Sequence, residues 1–110
     1  MISNKALVID KRIFNIHMLR VENGCFLTVS EGEETKFGSM ALSVKVGDRA
    51  NSTTIIPSRF GDIYSRILAE SISMMIDGIV IASLYTLSPI ESQIVRRLLD
   101  EIKELCKIEP

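Results

Sequence analysis

Apolar and polar side chains alternate through the first half of the chain and shift to a helical spacing in the second. From Ser39 to Val46, Met40, Leu42, Val44 and Val46 fall on one side, and Ser39, Ala41, Ser43 and Lys45 on the other. That period of two predicts a strand with one buried and one wet face, the buried one carrying the four large apolar residues. Ile13 to Val21 and Cys25 to Ser30 read as two further strands around Glu22-Asn23-Gly24, where Asn-Gly would supply the positive backbone angles of a tight hairpin turn. Lys5 to Ile9 adds a short strand before them and Ser52 to Ile56 another after the turn at Gly47 to Asn51. The polar, glycine-bounded stretch Glu31 to Gly38 reads as an exposed loop.

After Pro57 the spacing changes. Phe60, Ile63, Tyr64, Ile67, Leu68, Ile72 and Met75 recur with helical period between Arg59 and Asp77, and Gly78 supplies a stop. Ile79 to Leu87 is nearly continuously apolar and β-branched, the mark of a central strand. Ser88-Pro89-Ile90-Glu91 then predicts a helix start, with Ser88 as N-cap, Pro89 in the first turn and Glu91 closing a capping box. Ile90, Ile94, Val95, Leu98, Leu99, Ile102, Leu105 and Cys106 form its apolar side. The order predicts one α+β domain over residues 1–110, an antiparallel sheet of about six strands with two helices packed on one face.

Both predicted helices are apolar over more than a narrow stripe. Ile63, Ile67 and Met74 lie well round the first from Leu68 and Met75, and Val95, Leu99 and Ile102 widen the second. Such breadth fits helices packed on the sheet below and on a second protein above. It also fits a first helix that is central, with the second covering its flank. On the former reading, Ile63, Ile67, Met74, Val95, Leu99 and Ile102 form a dimer interface.

Composition narrows the function. With 13 basic and 14 acidic side chains in 110 residues, the chain has no concentrated excess of cations for a phosphate backbone, so nucleic acid is disfavoured. No apolar run is long enough to predict a secretory core or a membrane span. Two cysteines, Cys25 and Cys106, form no metal or redox pair motif and read as reduced thiols of a cytoplasmic protein, with the nucleus as a second location.

Chemistry finds little to use. His17 is the single histidine, and one strand imidazole is ordinarily a packing residue. No metal set can be assembled from it and two scattered thiols. The acidic run Glu31, Glu33, Glu34 lacks the ladder of oxygen ligands that a calcium loop needs, and reads as a solvated loop or as a contact for a basic surface. No glycine-rich phosphate loop is present. The expectation is a protein without catalytic activity or cofactor.

One resemblance spans most of the chain from Ile13 onward. The segment His17-Met18-Leu19-Arg20-Val21, its short polar turn and Cys25-Phe26-Leu27-Thr28-Val29 resemble the first hairpin of the small eukaryotic 20S proteasome assembly chaperones, the third and fourth members, and of the fourth in particular. The likeness continues through Met40-Ala41-Leu42-Ser43-Val44, Ser52-Thr53-Thr54, Ile81-Ala82-Ser83-Leu84-Tyr85-Thr86-Leu87 and a charged terminal helix from Ile94 to Lys107. The resemblance implies a six-stranded antiparallel sheet with two helices on one face. It also implies pairing with a paralogous chaperone or with itself, and transient binding to an alpha-type subunit during alpha-ring assembly. The end Ile108-Glu109-Pro110 lacks the hydrophobic-Tyr-any tail of other chaperones in that system, as the resemblance implies for these two members. Contact with the proteasome is then expected on the exposed loops, through Glu31, Glu33, Glu34, Lys36, Asp48 and Arg49. The alternative is a roadblock-like dimeric scaffold, although such modules usually begin with a helix and this sequence begins with strands.

Overall fold

A computed structural model describes residues 2–58 and 63–107. Its elements are β1 (Ile2–Ile9), β2 (Arg12–Val21), β3 (Gly24–Glu31), β4 (Ser39–Val46), β5 (Arg49–Ile56), α1 (Ile63–Ile76), β6 (Ile79–Tyr85) and α2 (Ser92–Lys107). The predicted helical segment 59–62 lies outside the described residues. One six-stranded sheet runs β1-β2-β3-β6-β4-β5, so the α+β class and both helices on a single face are as the pattern indicates. Every neighbouring pair is antiparallel except β3 and β6, which run parallel and make the sheet mixed. Parallel pairing follows from the α1 crossover, which carries the chain back to the end of the sheet where β3 begins.

Local chemistry sets the turns. β1 and β2 are joined by Asp10 and Lys11, both left-handed at φ 50° and 65°, which gives a two-residue hairpin with the twist the strands require. At Glu22-Asn23 the expectation of positive angles fails: Gly24 is not among the residues with positive φ and already pairs with Val21 as a strand residue. Glycine is needed there for a different reason. A Cβ on Gly24 would stand 2.2 Å from the Ile79 carbonyl oxygen, and one on Gly78 would stand 2.7 Å from that of Asn23. The Ile79 amide donates to the Asn23 carbonyl at 3.0 Å, so the two glycines let β6 enter beside β3. Helix α1 ends at Ile76, two residues before the predicted stop at Gly78. Asp77 takes the left-handed position (φ 54°) and the Gly78 amide reaches back to the Ser73 carbonyl.

The two helices divide one face. α2 lies over the β1–β3 half, where Lys5 meets Glu101 at 2.6 Å and the Cys106 thiol lies 3.9 Å from the Met18 sulfur. α1 lies over β4, β5 and β6. Under α2 the core is built of large side chains, with Phe14, Ile16, Met18, Leu27, Leu98 and Ile102 fully buried. Under α1, Leu68 and Ile72 are fully buried, but the facing positions of β4 are small. Ser39, Ala41 and Ser43 of β4 are buried against a helix whose buried face includes Ser65, Ala69 and Ser73, and the Ser43 and Ser73 hydroxyls bond each other at 2.8 Å. Small side chains on both surfaces let helix and sheet approach closely, and the paired hydroxyls meet each other's hydrogen-bonding need. The buried face of β4 is therefore the reverse of the one predicted: Met40, Leu42, Val44 and Val46 point to the helix-free side.

The start of α2 also differs from the pattern. The first helical bonds run from the Ile94 and Val95 amides to the Glu91 carbonyl, which makes Glu91 the cap in place of Ser88. The Ser88 and Pro89 carbonyls are taken by the Arg12 guanidinium instead, at 3.0 Å each. Substituting Gly24→Ala sets the new methyl against backbone, which has little freedom to yield. Urea unfolding should show a loss of about 2–3 kcal/mol, and an unchanged midpoint would mean that the β3–β6 junction opens without cost.

Candidate interaction surface

Strand register sorts every ladder position onto one of two faces. Away from the helices lie Leu19 and Val21 of β2, Phe26 of β3, Ile79 and Ile81 of β6, and Met40, Leu42, Val44 and Val46 of β4. Ile2, Val8 and Ile13 extend this side across β1 and β2. Val21 and Val46 stay more than half exposed, at 51% and 57%. On the ladder positions of this face Arg49 is the one permanently charged side chain, because Lys5, Arg12, Arg20, Glu31 and Lys45 all point to the helix side. These apolar side chains share the face with the neutral polar Asn4, Asn15, His17, Thr28, Asn51 and Thr53, and its depletion in charge is a property shared with interface cores. Two shallow hollows of about 180 and 170 Å³ indent it, and Leu19 and Phe26 line both.

The segment 32–38, predicted as a solvated loop, folds onto this face as a strap. The Ser30 hydroxyl donates to the Glu34 carbonyl and accepts from the Lys36 amide, and the Gly38 amide donates to the Ser83 hydroxyl. Asn15 holds the Gly32 carbonyl at 2.7 Å. Phe37 lies against Phe26 with ring centroids 6.2 Å apart, and the Lys36 ammonium stands 5.5 Å over the Tyr85 ring. Ser30 and Ser83, both fully buried, are thus the strap's anchoring points. Beyond it, Phe37, Ile56, Pro57, Tyr85 and Leu87 surround a wider hollow of about 470 Å³ at the end of the sheet.

Among the expected contact residues, Glu31 is an internal strut. It is 7% exposed at the end of β3 and accepts from Arg12 Nε at 2.9 Å, Arg12 Nη2 at 2.7 Å and the Leu87 amide at 2.9 Å. The Arg12 hydrogen bond holds its carboxyl below the usual range against the opposing effect of burial, with the Leu87 amide adding to the lowering, and Glu31 in turn raises Arg12. Glu33, Glu34, Lys36, Asp48 and Arg49 are exposed. They form two groups at opposite ends of β4, the strap at its start and the Gly47-Asp48 turn at its finish.

The proposed helix interface is not a continuous surface. Val95 and Ile102 lie in the chain's own core at 5% and 0% exposure, and Ile67 and Leu99 pack against that core half-buried. Met74 is half-buried and Ile63 exposed. Breadth of the apolar stripe on these helices therefore reflects contact with the sheet and with each other. The sequence signal for the real apolar face was Ile79 to Tyr85: a strand apolar on both sides needs cover on both sides, and two helices on one face supply only half of it.

The chemical candidates stand apart. His17, on the open face, has Nδ1 2.7 Å from Asn4 Oδ1 and Nε2 3.3 Å from Thr35 Oγ1. Cys25 and Cys106 are buried on the helix side and unbridged. Burial, with the Cys106 thiol adding to it, pushes the Cys25 thiol up to about 12 despite Arg20, and burial raises Cys106 too. Neither is a thiolate nucleophile at neutral pH. Among the described residues no three His, Cys, Asp or Glu side chains converge as a metal set, and no helix is long and apolar enough to cross a membrane.

One sheet face is covered by helices, and the other carries apolar side chains with Arg49 as its one permanent ladder charge, which defines the class as an α+β fold with helices on a single face of its sheet. No protein family and no curated protein matches the sequence. The fold is similar to that of a chain in a chaperone complex for yeast 20S proteasome assembly, with a TM-score of 0.70 over 96% of this chain and 95% of that one, at 11% identity. Removing the Glu31 charge tests the strut. Because its folded acidity is stronger than that of an ordinary glutamate near 4.3, its contribution is complete above that value and is lost as pH falls through the lower folded value. Glu31→Gln should cost about 3 kcal/mol at pH 7 and flatten the acid side of the stability curve, measured by urea unfolding from pH 7 to pH 3.

Proposed function

We propose that the protein is a non-catalytic assembly chaperone of the 20S proteasome that works as a pair and holds an alpha-type subunit during ring assembly. The bare, charge-depleted sheet face carries this reading, and the fold shared with a chain of a yeast assembly-chaperone complex supports it. Pairing is reassigned from the helices to the sheet. Six strands at about 4.8 Å spacing, seven to ten residues long at about 3.3 Å per residue, make a face of roughly 700 Å². A standard interface buries about 800 Å² per partner, and two such faces pack as an aligned sandwich. The partner is a second copy of the chain: with Arg49 as the single fixed charge among the ladder positions, the strands offer little repulsion to their own copy.

The alpha-type subunit is assigned to the strap end. There Phe37 and Leu87 stand exposed at a hollow of about 470 Å³, and Glu33, Glu34 and Lys36 line an adjoining one that shares Tyr85 and Leu87. An apolar centre with a charged rim suits a contact that must later release. The cytoplasm, with the nucleus as a second location, is where such assembly would take place. Tagged protein recovered from its native cells is expected to bring down free alpha-type subunits and immature rings without mature particles; their absence overturns the chaperone reading. Leu42→Glu, which sets a charge in the sheet face without touching the helix side, should abolish the pair in sedimentation analysis while leaving the monomer's circular dichroism unchanged.

A further inference from the structure

His17 is the chain's one histidine and lies on the open face, and histidine is the residue type that ordinarily changes charge between pH 5 and 8. It lies near the middle of β2, opposite Asn4 on β1 and Thr28 on β3, and lines the smaller hollow with Ile2, Leu19 and Phe26. Its surroundings carry no charge to hold a proton. From β1 it meets the Asn4 amide oxygen and from the strap the Thr35 hydroxyl, while Thr28 is buried with a hydroxyl that finds no partner among the described residues. The charged neighbours are turned elsewhere. Lys5 points to the helix side and pairs with Glu101, while Glu34 and Lys36, flanking Thr35, face each other at 3.8 Å. Glu33 is solvent-exposed.

We propose that pairing through the sheet face is proton-linked at His17: the neutral imidazole is compatible with a covered face, and the imidazolium is expelled from it. The inference rests on the sheet-face pairing proposed above. In the free chain one flank of the ring is open to water, so either protonation state is solvated, and both fit the Asn4 and Thr35 contacts once the hydroxyl rotates. Covering the face removes that water and supplies no carboxylate in exchange, and a charge so buried is strongly disfavoured. A symmetric pair buries two such rings. One pH unit below the midpoint of an ordinary histidine, each proton that must leave weakens association about tenfold, and two weaken it about a hundredfold.

The test is sedimentation equilibrium of the full chain, wild type and His17→Gln, at pH 7.5 and 5.5, with circular dichroism at both values. The expected result is a wild-type dimer whose Kd rises by roughly two orders of magnitude at pH 5.5 while the fold is retained, and a Gln variant whose Kd is the same at both. An equal wild-type Kd at the two pH values overturns the proton linkage and leaves the pairing standing. A pH effect that persists in His17→Gln also overturns it. A monomer at both values overturns the pairing itself, whereas an effect accompanied by loss of the dichroism signal overturns the linkage, because it places the acid response in folding.

Discussion

The structure depends on one imbalance: a sheet whose strands β2, β3 and β6 carry large apolar side chains on both sides, and two helices that cover only one of them. Everything on the covered side is spent on making that coverage close. Under α2 it is achieved with large interdigitating side chains, and under α1 with serine and alanine on both partners, where paired hydroxyls bring helix and sheet near without leaving a polar group unmet. The uncovered side is left with Leu42, Val44, Phe26 and Ile81 and almost no charge. Fold and proposed role are thus two readings of the same deficit.

The strut formed by Arg12 and Glu31 secures the other requirement, that the β6–α2 connection stay in place. One guanidinium spans Glu31 on β3 and the carbonyls of Ser88 and Pro89, while the carboxylate reaches the Leu87 amide. The polar groups of an irregular connection are met by side chains from neighbouring strands, which is how an unwound segment can sit against a core. The strap repeats the device on the opposite face, with Ser30 and Ser83 taking the place of the charged pair.

Much of the fold was legible in the sequence. Alternation located β2, β3 and β4 to within a residue or so, and helical spacing found both helices, because these periods report backbone geometry directly. Which side of a strand is buried was not legible on β4. Alternation says that two faces differ, and hydrophobicity assigns the inner one only when the outer one meets water. Here the small residues went inward because a helix needed to come close. The same ambiguity touches the helices: Val95 and Ile102 are buried in the chain's own core, while Leu42, read as core, lies on the helix-free face. Capping chemistry was misread at Ser88 because Arg12, distant in sequence, claimed the carbonyls there. Glu31 looked like one of an acidic run until its partner 19 residues upstream was known.

The parallel seam between β3 and β6 has a consequence for how the chain reaches this state. Hairpins β1–β2–β3 and β4–β5 close over short loops and can form as soon as each is synthesised. Their union waits for β6, which must thread between them and pair with residues 55 positions earlier in the chain, as Gly24 does with Ile79. Loop closure over that distance precedes any reward from pairing, so the seam is the slow step of folding and the two hairpin halves are transiently separate bodies. Until β6 arrives, β3 and β4 each expose a naked edge, and a chain whose proposed role is to chaperone assembly passes through a stage in which it is itself open to mispairing.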